Sequence, residues 1–302
     1  MTAADLPFQT SINPAVTSDS LVSFGQTNQV FINTQLPTLT NDWTTETWRG
    51  AQPWQTKITH DLEVRFNDKF SFGKIEFPDI DSQGVYTATK LAYEKLAVFL
   101  KENPHNALVR IWNLIPNINE GDGDNETYRQ FSLARAEIFA GHKELLGEYT
   151  AASALGRKTP GLLVYFLASH QTGDPIENPQ QVSAYHYPRC HGPASPSFAR
   201  ATLHERILYV SGTAAIEGHA SLFPGDIEQQ CKLALLNIER VVQAANFDIT
   251  AGYLRCYLRQ PAHLSAAQKM LNGSTFTNLP VIWLQADICR SELLVEFEAV
   301  FA

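Results

Sequence analysis

One order of elements, helix, strand, helix, strand, strand, is written twice along this chain, and the repeat constrains the fold more than any other feature. In the first copy, apolar positions at helical spacing across Tyr86–Lys101 (Leu91, Ala92, Leu96, Ala97, Phe99, Leu100) predict a helix with one buried face. Leu108–Ile115 follows as a strand stopped by Pro116, and Glu126–Leu146 as a helix after the turn and cap residues Asp122–Asn125. Gly161–Leu167 and Gln181–Tyr187 read as the two closing strands, the second from its alternation. In the second copy, a strand at Ile207–Ser211 precedes a long helix over Asp226–Ala245, a strand at Tyr253–Leu258 and a short helix over His263–Leu271. Val281–Ile288 and Leu293–Val300 close it as strands. The offset is about 140 to 150 residues, and it sets Val109-Arg110 against Leu254-Arg255, with an arginine at the same place in both copies. The expected fold class is therefore α+β: two side-by-side βα units, with mixed sheets packed by helices.

At 302 residues the chain has room for both units, and a cleft between such units is a common place for a ligand. The connector-like run Gly192-Pro-Ala-Ser-Pro-Ser sets the expected division at 1–195 and 196–302. Residues 1–60, rich in Thr, Asn, Pro and Gln with bursts such as Val30-Phe31-Ile32, read as short strands joined by turns. A net charge of −8 argues against nucleic acid or an anionic membrane as the main partner. An acidic protein that takes an anionic metabolite must gather its arginines locally. Met1–Thr10 has no leader-like pattern, no stretch is apolar enough for a membrane span, and the expected address is the cytoplasm. The four cysteines (Cys190, Cys231, Cys256, Cys289) are scattered without a CxxC pair, so neither a disulfide framework nor a structural zinc site is expected. Nucleotide-binding glycine motifs and the GxSxG elbow are absent. His204-Glu205 is no zincin motif because Leu208 stands where its second histidine belongs.

Three segments carry candidate chemistry. In Ala286-Asp-Ile-Cys-Arg-Ser-Glu-Leu-Leu-Val-Glu-Phe-Glu, a strand period of two puts Leu294, Glu296 and Glu298 on one face and Val295 and Phe297 on the other. A carboxylate there is either solvated at an edge or buried with a task, and burial would raise its pKa and suit it to proton transfer. Cys289, across a turn from Glu296, is either a small buried hydrophobe or a reactive group. The run from Asn178 to Arg200 mixes Tyr185, Tyr187, Arg189 and Arg200 with rigid prolines; it is either an ordinary surface loop or a scaffold for carboxylate-binding guanidiniums. Arg110-Ile-Trp-Asn-Leu-Ile-Pro-Asn-Ile-Asn-Glu leads to Tyr128, Arg129 and Arg135 on the next helix, where Arg135 projects either to water or to a cleft. The alternating set Tyr253, Arg255, Tyr257, Arg259 shares a strand face that lines a cleft or meets water.

Taken in order, Arg110–Glu120, Tyr128-Arg-Gln-Phe, Arg135-Ala-Glu-Ile-Phe, Asn178–Tyr185, Ser195-Pro-Ser-Phe-Ala-Arg-Ala, Val210-Ser-Gly-Thr-Ala, Ala286-Asp-Ile-Cys-Arg and Leu293-Leu-Val-Glu resemble the chorismatase (chorismate hydrolase) family. The C-terminal half also resembles the reactive-intermediate deaminase fold that chorismatases share, so the two βα units are expected to be of that type. The resemblance implies cleavage of the enolpyruvyl ether of chorismate to pyruvate and 3-hydroxybenzoate, with 4-hydroxybenzoate as a further product. Alternatives are hydrolysis to the dihydroxycyclohexadienoate, an imine deaminase, or a non-catalytic binding module of the same fold. It implies Glu296 as the acid and Cys289 as the mark of hydroxybenzoate-forming members. Arg200, Arg189, Arg135, Arg259, Tyr187, Tyr185 and Ala214 are the implied substrate-binding residues. In the first copy, Ser183 of Val182-Ser-Ala-Tyr stands where Glu296 stands in the second. No metal or organic cofactor is implied. Because both copies lie in one chain, a monomer is expected to hold the site.

Overall fold

The structure, a computed structural model, describes residues 8–302 apart from 15, 18, 26–29, 51, 60–61 and 147–148. The reading of Met1–Thr10 therefore falls mostly outside the described residues.

The repeat is present, but each copy has five strands, where the sequence pattern gave three in the first and four in the second. The first unit runs β1 (Leu62–Phe66), β2 (Phe70–Phe77), α1 (Val85–Glu102), β3 (Ala107–Pro116), α2 (Thr127–Gly141), β4 (Ala151–Arg157) and β5 (Leu162–Ser169). The second runs β6 (Ala201–His204), β7 (Ile207–Thr213), α3 (Ile227–Ala244), β8 (Gly252–Leu258), α4 (Leu264–Asn272), β9 (Val281–Gln285) and β10 (Val295–Phe301). Sheet order is β4-β3-β5-β2-β1 in one and β9-β8-β10-β7-β6 in the other, so the topologies match strand for strand. In each, the β3–β4 or β8–β9 pair is parallel and the other pairs are antiparallel. Gln55–Thr59 extends the first sheet at one edge and Asp287–Ile288 at the other; Asp174–Ile176 extends the second.

Two expectations need correction. Gln181–Tyr187 is not a strand: it passes through a single 3₁₀ turn at Ala184–His186, and Pro188 follows directly. Its alternation imitates a strand, but among the described residues only Gln181 makes a bridge, to Gly218, and no ladder continues it. The pattern also gave no strand at β1, β2 or β6, and it missed β4, Ala-Ala-Ser-Ala-Leu-Gly-Arg, which lacks the branched and aromatic residues that mark strands. Small residues are needed in β4 because neighbours approach closely: a Cβ on Gly156 would lie 2.5 Å from Ile118 and 2.7 Å from Asp287. The true first-copy counterpart of β10 is therefore β5. Register places Tyr165 opposite Trp112 and Glu296 opposite Tyr257, so Tyr165, not Ser183, stands where Glu296 does.

Helices cover the outer faces and the sheets meet on their inner faces. Val85, Leu96 and Phe99 of α1 pack on Ile111, Ile115 and Phe166 of the first sheet. Cys231, Leu235 and Ile238 of α3 pack on Val210, Leu254, Val295 and Phe297 of the second. Between the sheets, Phe72, Trp112 and Tyr165 meet Tyr209, Tyr257 and Leu284, and the same core takes Leu21, Val22 and Trp48 from a small N-terminal sheet. The sheet edges are stitched where the Ala151 and Ala152 amides donate to Thr202 Oγ1 (2.7 Å) and Ser211 Oγ (2.9 Å).

Candidate active site

Strand β10 lies between β7 and β8, so its carboxylates cannot sit at a solvated edge; Glu296 and Glu298 are both buried. Glu298 is held by groups from both units. Arg110 Nη2 donates to it at 2.9 Å, Trp112 Nε1 at 3.0 Å and Tyr257 OH at 2.9 Å; Ser153 Oγ donates as well, and Arg255 Nη1 lies 2.6 Å away. Arg255 is also paired bidentately with Glu46 of the N-terminal sheet and donates to Tyr165 OH at 2.9 Å. The face of Tyr253, Arg255 and Tyr257 thus meets neither a cleft nor water; it is buried, with Arg255 and Tyr257 internally paired. Burial alone would raise Glu298, but Arg255, Arg110, Ser153 and Tyr257 outweigh it and hold the carboxyl below its usual range.

Two carboxylates, Glu46 and Glu298, balance the two guanidiniums of Arg110 and Arg255, so this cluster has no guanidinium left over for a third. That is the electrostatic position of Glu296. Burial, then repulsion from Glu298, push its carboxyl up to about 8, with Arg110 opposing only in part. Two carboxyls two residues apart on one strand are therefore driven in opposite directions, one held as an anion and one kept as an acid. Strand β7 makes room for the acid: its pairing with β10 slips between Val210 and Thr213, and a Cβ on Gly212 in that bulge would lie 2.0 Å from Glu296 Oε1. The Gly212 amide donates to Ser153 Oγ at 2.9 Å, which fixes the bulge to the Glu298 cluster.

Glu296 opens into a cavity of about 300 Å³ lined also by Tyr128, Tyr187, Phe198, Arg200, Ala214, Cys289 and Arg290. A narrower recess of about 40 Å³ continues from it past Arg135, Asn113 and Ser153, sharing Glu296, Cys289 and Tyr128. Arg200 is buried, donates from Nη2 to Val182 O (2.9 Å) and Tyr187 OH (2.8 Å), and keeps a buried Nε with no acceptor among the described residues. Arg135 is buried against the rings of Tyr93 and Phe139, and its Nε and Nη2 likewise find no acceptor. Buried donors left unmade in this way are costly unless something completes them. Burial, then Glu296, push the Cys289 thiol up to about 12, so it is a neutral S–H; burial, with Cys289, also keeps the Tyr128 phenol protonated.

Of the residues picked from sequence, Glu296, Cys289, Arg200, Tyr187, Ala214 and Arg135 come together here. Three do not. Arg189 is exposed and paired bidentately with Asp124, and Tyr185 stacks on Tyr149. Arg259 points away from the cavity and ties the 287–294 loop through Asp287, Asn119 and the carbonyls of Ile288, Arg290 and Leu293. It positions Cys289 without lining the cavity. Sequence reasoning passed over Arg290 and Gly212. Arg290 adjoins Cys289 in the quoted segment and was findable; Gly212 has meaning only once the bulge is seen. His191 also lines the cavity and is pushed down to about 4 by burial and by Arg290 and His219 beside it.

The chain matches the N-terminal family model of FkbO/Hyg5-like chorismatases over residues 46–168. It is 37% identical over 238 residues to a 3-hydroxybenzoate synthase of Streptomyces hygroscopicus, covering 72% of this chain and 70% of that protein. It is 30% identical over 277 residues to a chorismatase of Streptomyces rapamycinicus, covering 85% and 82%. A crystal structure of a chorismatase superimposes with a TM-score of 0.85 at 25% identity, covering 98% of this chain and 99% of that one.

Proposed function

Because this chain belongs to the chorismatase family, we infer that it cleaves chorismate to 3-hydroxybenzoate and pyruvate, with Glu296 as the acid that starts the reaction. The observation that carries the reading is the pairing of a protonated carboxyl with unmade guanidinium donors: Glu296 at about 8, facing a cavity where Arg200 Nε and Arg135 Nε and Nη2 await acceptors. Chorismate is a dianion with two carboxylates and an acid-labile enol ether. Two buried arginines on either side of one acid suit that substrate.

Glu296 donates its proton to the enolpyruvyl methylene, and the ether carbon becomes an oxocarbenium. The neighbouring ring hydroxyl then closes on the ring carbon as its bond to the ether oxygen breaks. Pyruvate leaves with that oxygen as its ketone, and the hydroxyl proton returns to the Glu296 carboxylate. Aromatisation completes 3-hydroxybenzoate, and the two products together contain every atom of chorismate, so no water is consumed. Cys289, a neutral thiol on the wall beside Glu296, keeps water from the ring carbon. Tyr187 orients Arg200, and Ala214 leaves room for the substrate where a larger residue would not. The cavity takes its walls from both internal units, Tyr128 and Glu126 from the first and Glu296 and Gly212 from the second, which is the arrangement a monomeric active unit requires. The four cysteines are free, as a reducing cytoplasm would keep them. Incubating the purified protein with chorismate tests the assignment: pyruvate and 3-hydroxybenzoate should appear in equal amounts. Absence of pyruvate would overturn it.

A further inference from the structure

We propose that Cys190, His191 and His219 form a binding site for one transition-metal ion of the zinc class on the rim of the cavity, and that the bound ion closes the cavity. The sulfur of Cys190 and one ring nitrogen of each histidine all lie within 4.8 Å of one another, and His191 Nε2 is 3.0 Å from His219 Nδ1. Tetrahedral zinc, with bonds of about 2.0 Å to nitrogen and 2.3 Å to sulfur, needs its ligand atoms roughly 3.3–3.6 Å apart. The two imidazoles are already near that spacing, and the exposed Cys190 side chain has to swing inward by little more than 1 Å. One thiolate and two imidazoles are a ligand set for zinc, copper or cobalt rather than magnesium or calcium, and they leave a fourth position open.

The surroundings hold the ligands in place. Cys190 and His191 belong to the 3₁₀ turn Arg189–His191, pinned by the Arg189–Asp124 ion pair. His219 sits at the tip of the hairpin formed by Ile216–Glu217 and Ala220–Ser221, where Arg290 Nη1 donates to its carbonyl oxygen at 2.9 Å. Both segments border the cavity: His191 and Ile216 line it, and the turn follows directly on Tyr187, the partner of Arg200. Among the described residues, one hydrogen bond and one ring contact, both between His191 and His219, join turn to hairpin. An ion would replace that hydrogen bond with coordinate bonds and lock the two segments together across the entrance. The site was invisible as a spacing motif, because Cys190-His191 and His219 are brought together only by the fold. Its closing effect rests on the chorismatase reading; its ability to bind metal does not.

Cobalt(II), a stand-in for zinc with visible spectra, tests the site in the full chain. Titration should saturate at one ion per chain with a thiolate-to-cobalt absorption band. The band should vanish in Cys190→Ser, and His219→Ala should weaken cobalt binding at least tenfold. Zinc should suppress pyruvate release from chorismate by the wild type but not by His219→Ala, whose zinc-free turnover should match the wild type. The proposal is overturned by absence of the band, by its survival in Cys190→Ser, or by equal zinc inhibition of both proteins. Binding that persists in both variants, for instance at the His105–His170 pair, overturns it as well. If zinc-free protein releases no pyruvate, the chorismatase reading fails, and the cobalt titration still decides the metal site.

Discussion

Glu296→Gln keeps the side chain's size and removes its proton chemistry, and it should separate activity from stability in opposite directions. The folded carboxyl is raised from 4.5 to about 8, so the native state binds a proton that the unfolded chain has already released between those values. Stability from this group is therefore greatest below about 4.5, falls as pH rises, and reaches its full loss above about 8. At about 1.4 kcal/mol per pH unit, ionised Glu296 costs the fold on the order of 3–5 kcal/mol at alkaline pH. The glutamine carries no such cost. Relative to wild type, the variant's melting temperature should rise between pH 5 and pH 9, by very roughly 5–10 °C for a chain of this size. Pyruvate release should meanwhile fall by about 10²–10⁴-fold, because the amide has no acid proton to give. Melting both proteins at pH 5, 7 and 9, and assaying chorismate turnover at each, measures both. A melting difference independent of pH would refute the raised carboxyl; near-normal turnover would refute its role as acid.

Arg200→Ala should raise KM for chorismate by about 10–100-fold, the loss of one charge-assisted contact, with a smaller change in stability; unchanged affinity at fixed salt would remove Arg200 from the site. Cys289→Ala should keep releasing pyruvate but shift the ring product towards the dihydroxycyclohexadienoate, since the space of the sulfur admits water; chromatography of the products decides, and an unchanged hydroxybenzoate fraction would make Cys289 mere packing. Gly212→Ala should abolish turnover by displacing Glu296, whose Oε1 lies 2.0 Å from the new Cβ, while the chain still folds; normal kinetics would show that the bulge has no part in placing the acid.

The helices were readable because α1 and α3 each bury one stripe, and a stripe is a local pattern. Glu296 and Glu298 were readable as neighbours on one face for the same reason. Which of them holds a proton was not, because it depends on Arg110, 188 residues away from Glu298, and on Glu46 through Arg255. Strand β4 hid behind small residues chosen for close approach rather than for strand propensity. Gln181–Tyr187 misled in the opposite way, having the alternation of a strand and no ladder to join. Arg189 and Arg259 show the limit for charged groups: sequence reveals a guanidinium in a functional stretch, while the fold decides whether Asp124 or Asp287 claims it first.

The clamp on Glu298 has a consequence for how the protein is made. Arg110 leaves the ribosome 188 residues before the carboxylate it is paired with. At synthesis rates of roughly 5–20 residues per second, the wait is on the order of 10–40 s. A bare guanidinium cannot be dried in that interval, so the inner face of the first unit must stay hydrated, its aromatic residues exposed, until β10 arrives. The nascent chain thus carries a half-built core that cannot close early, and it is in this window that a chaperone would have something to hold.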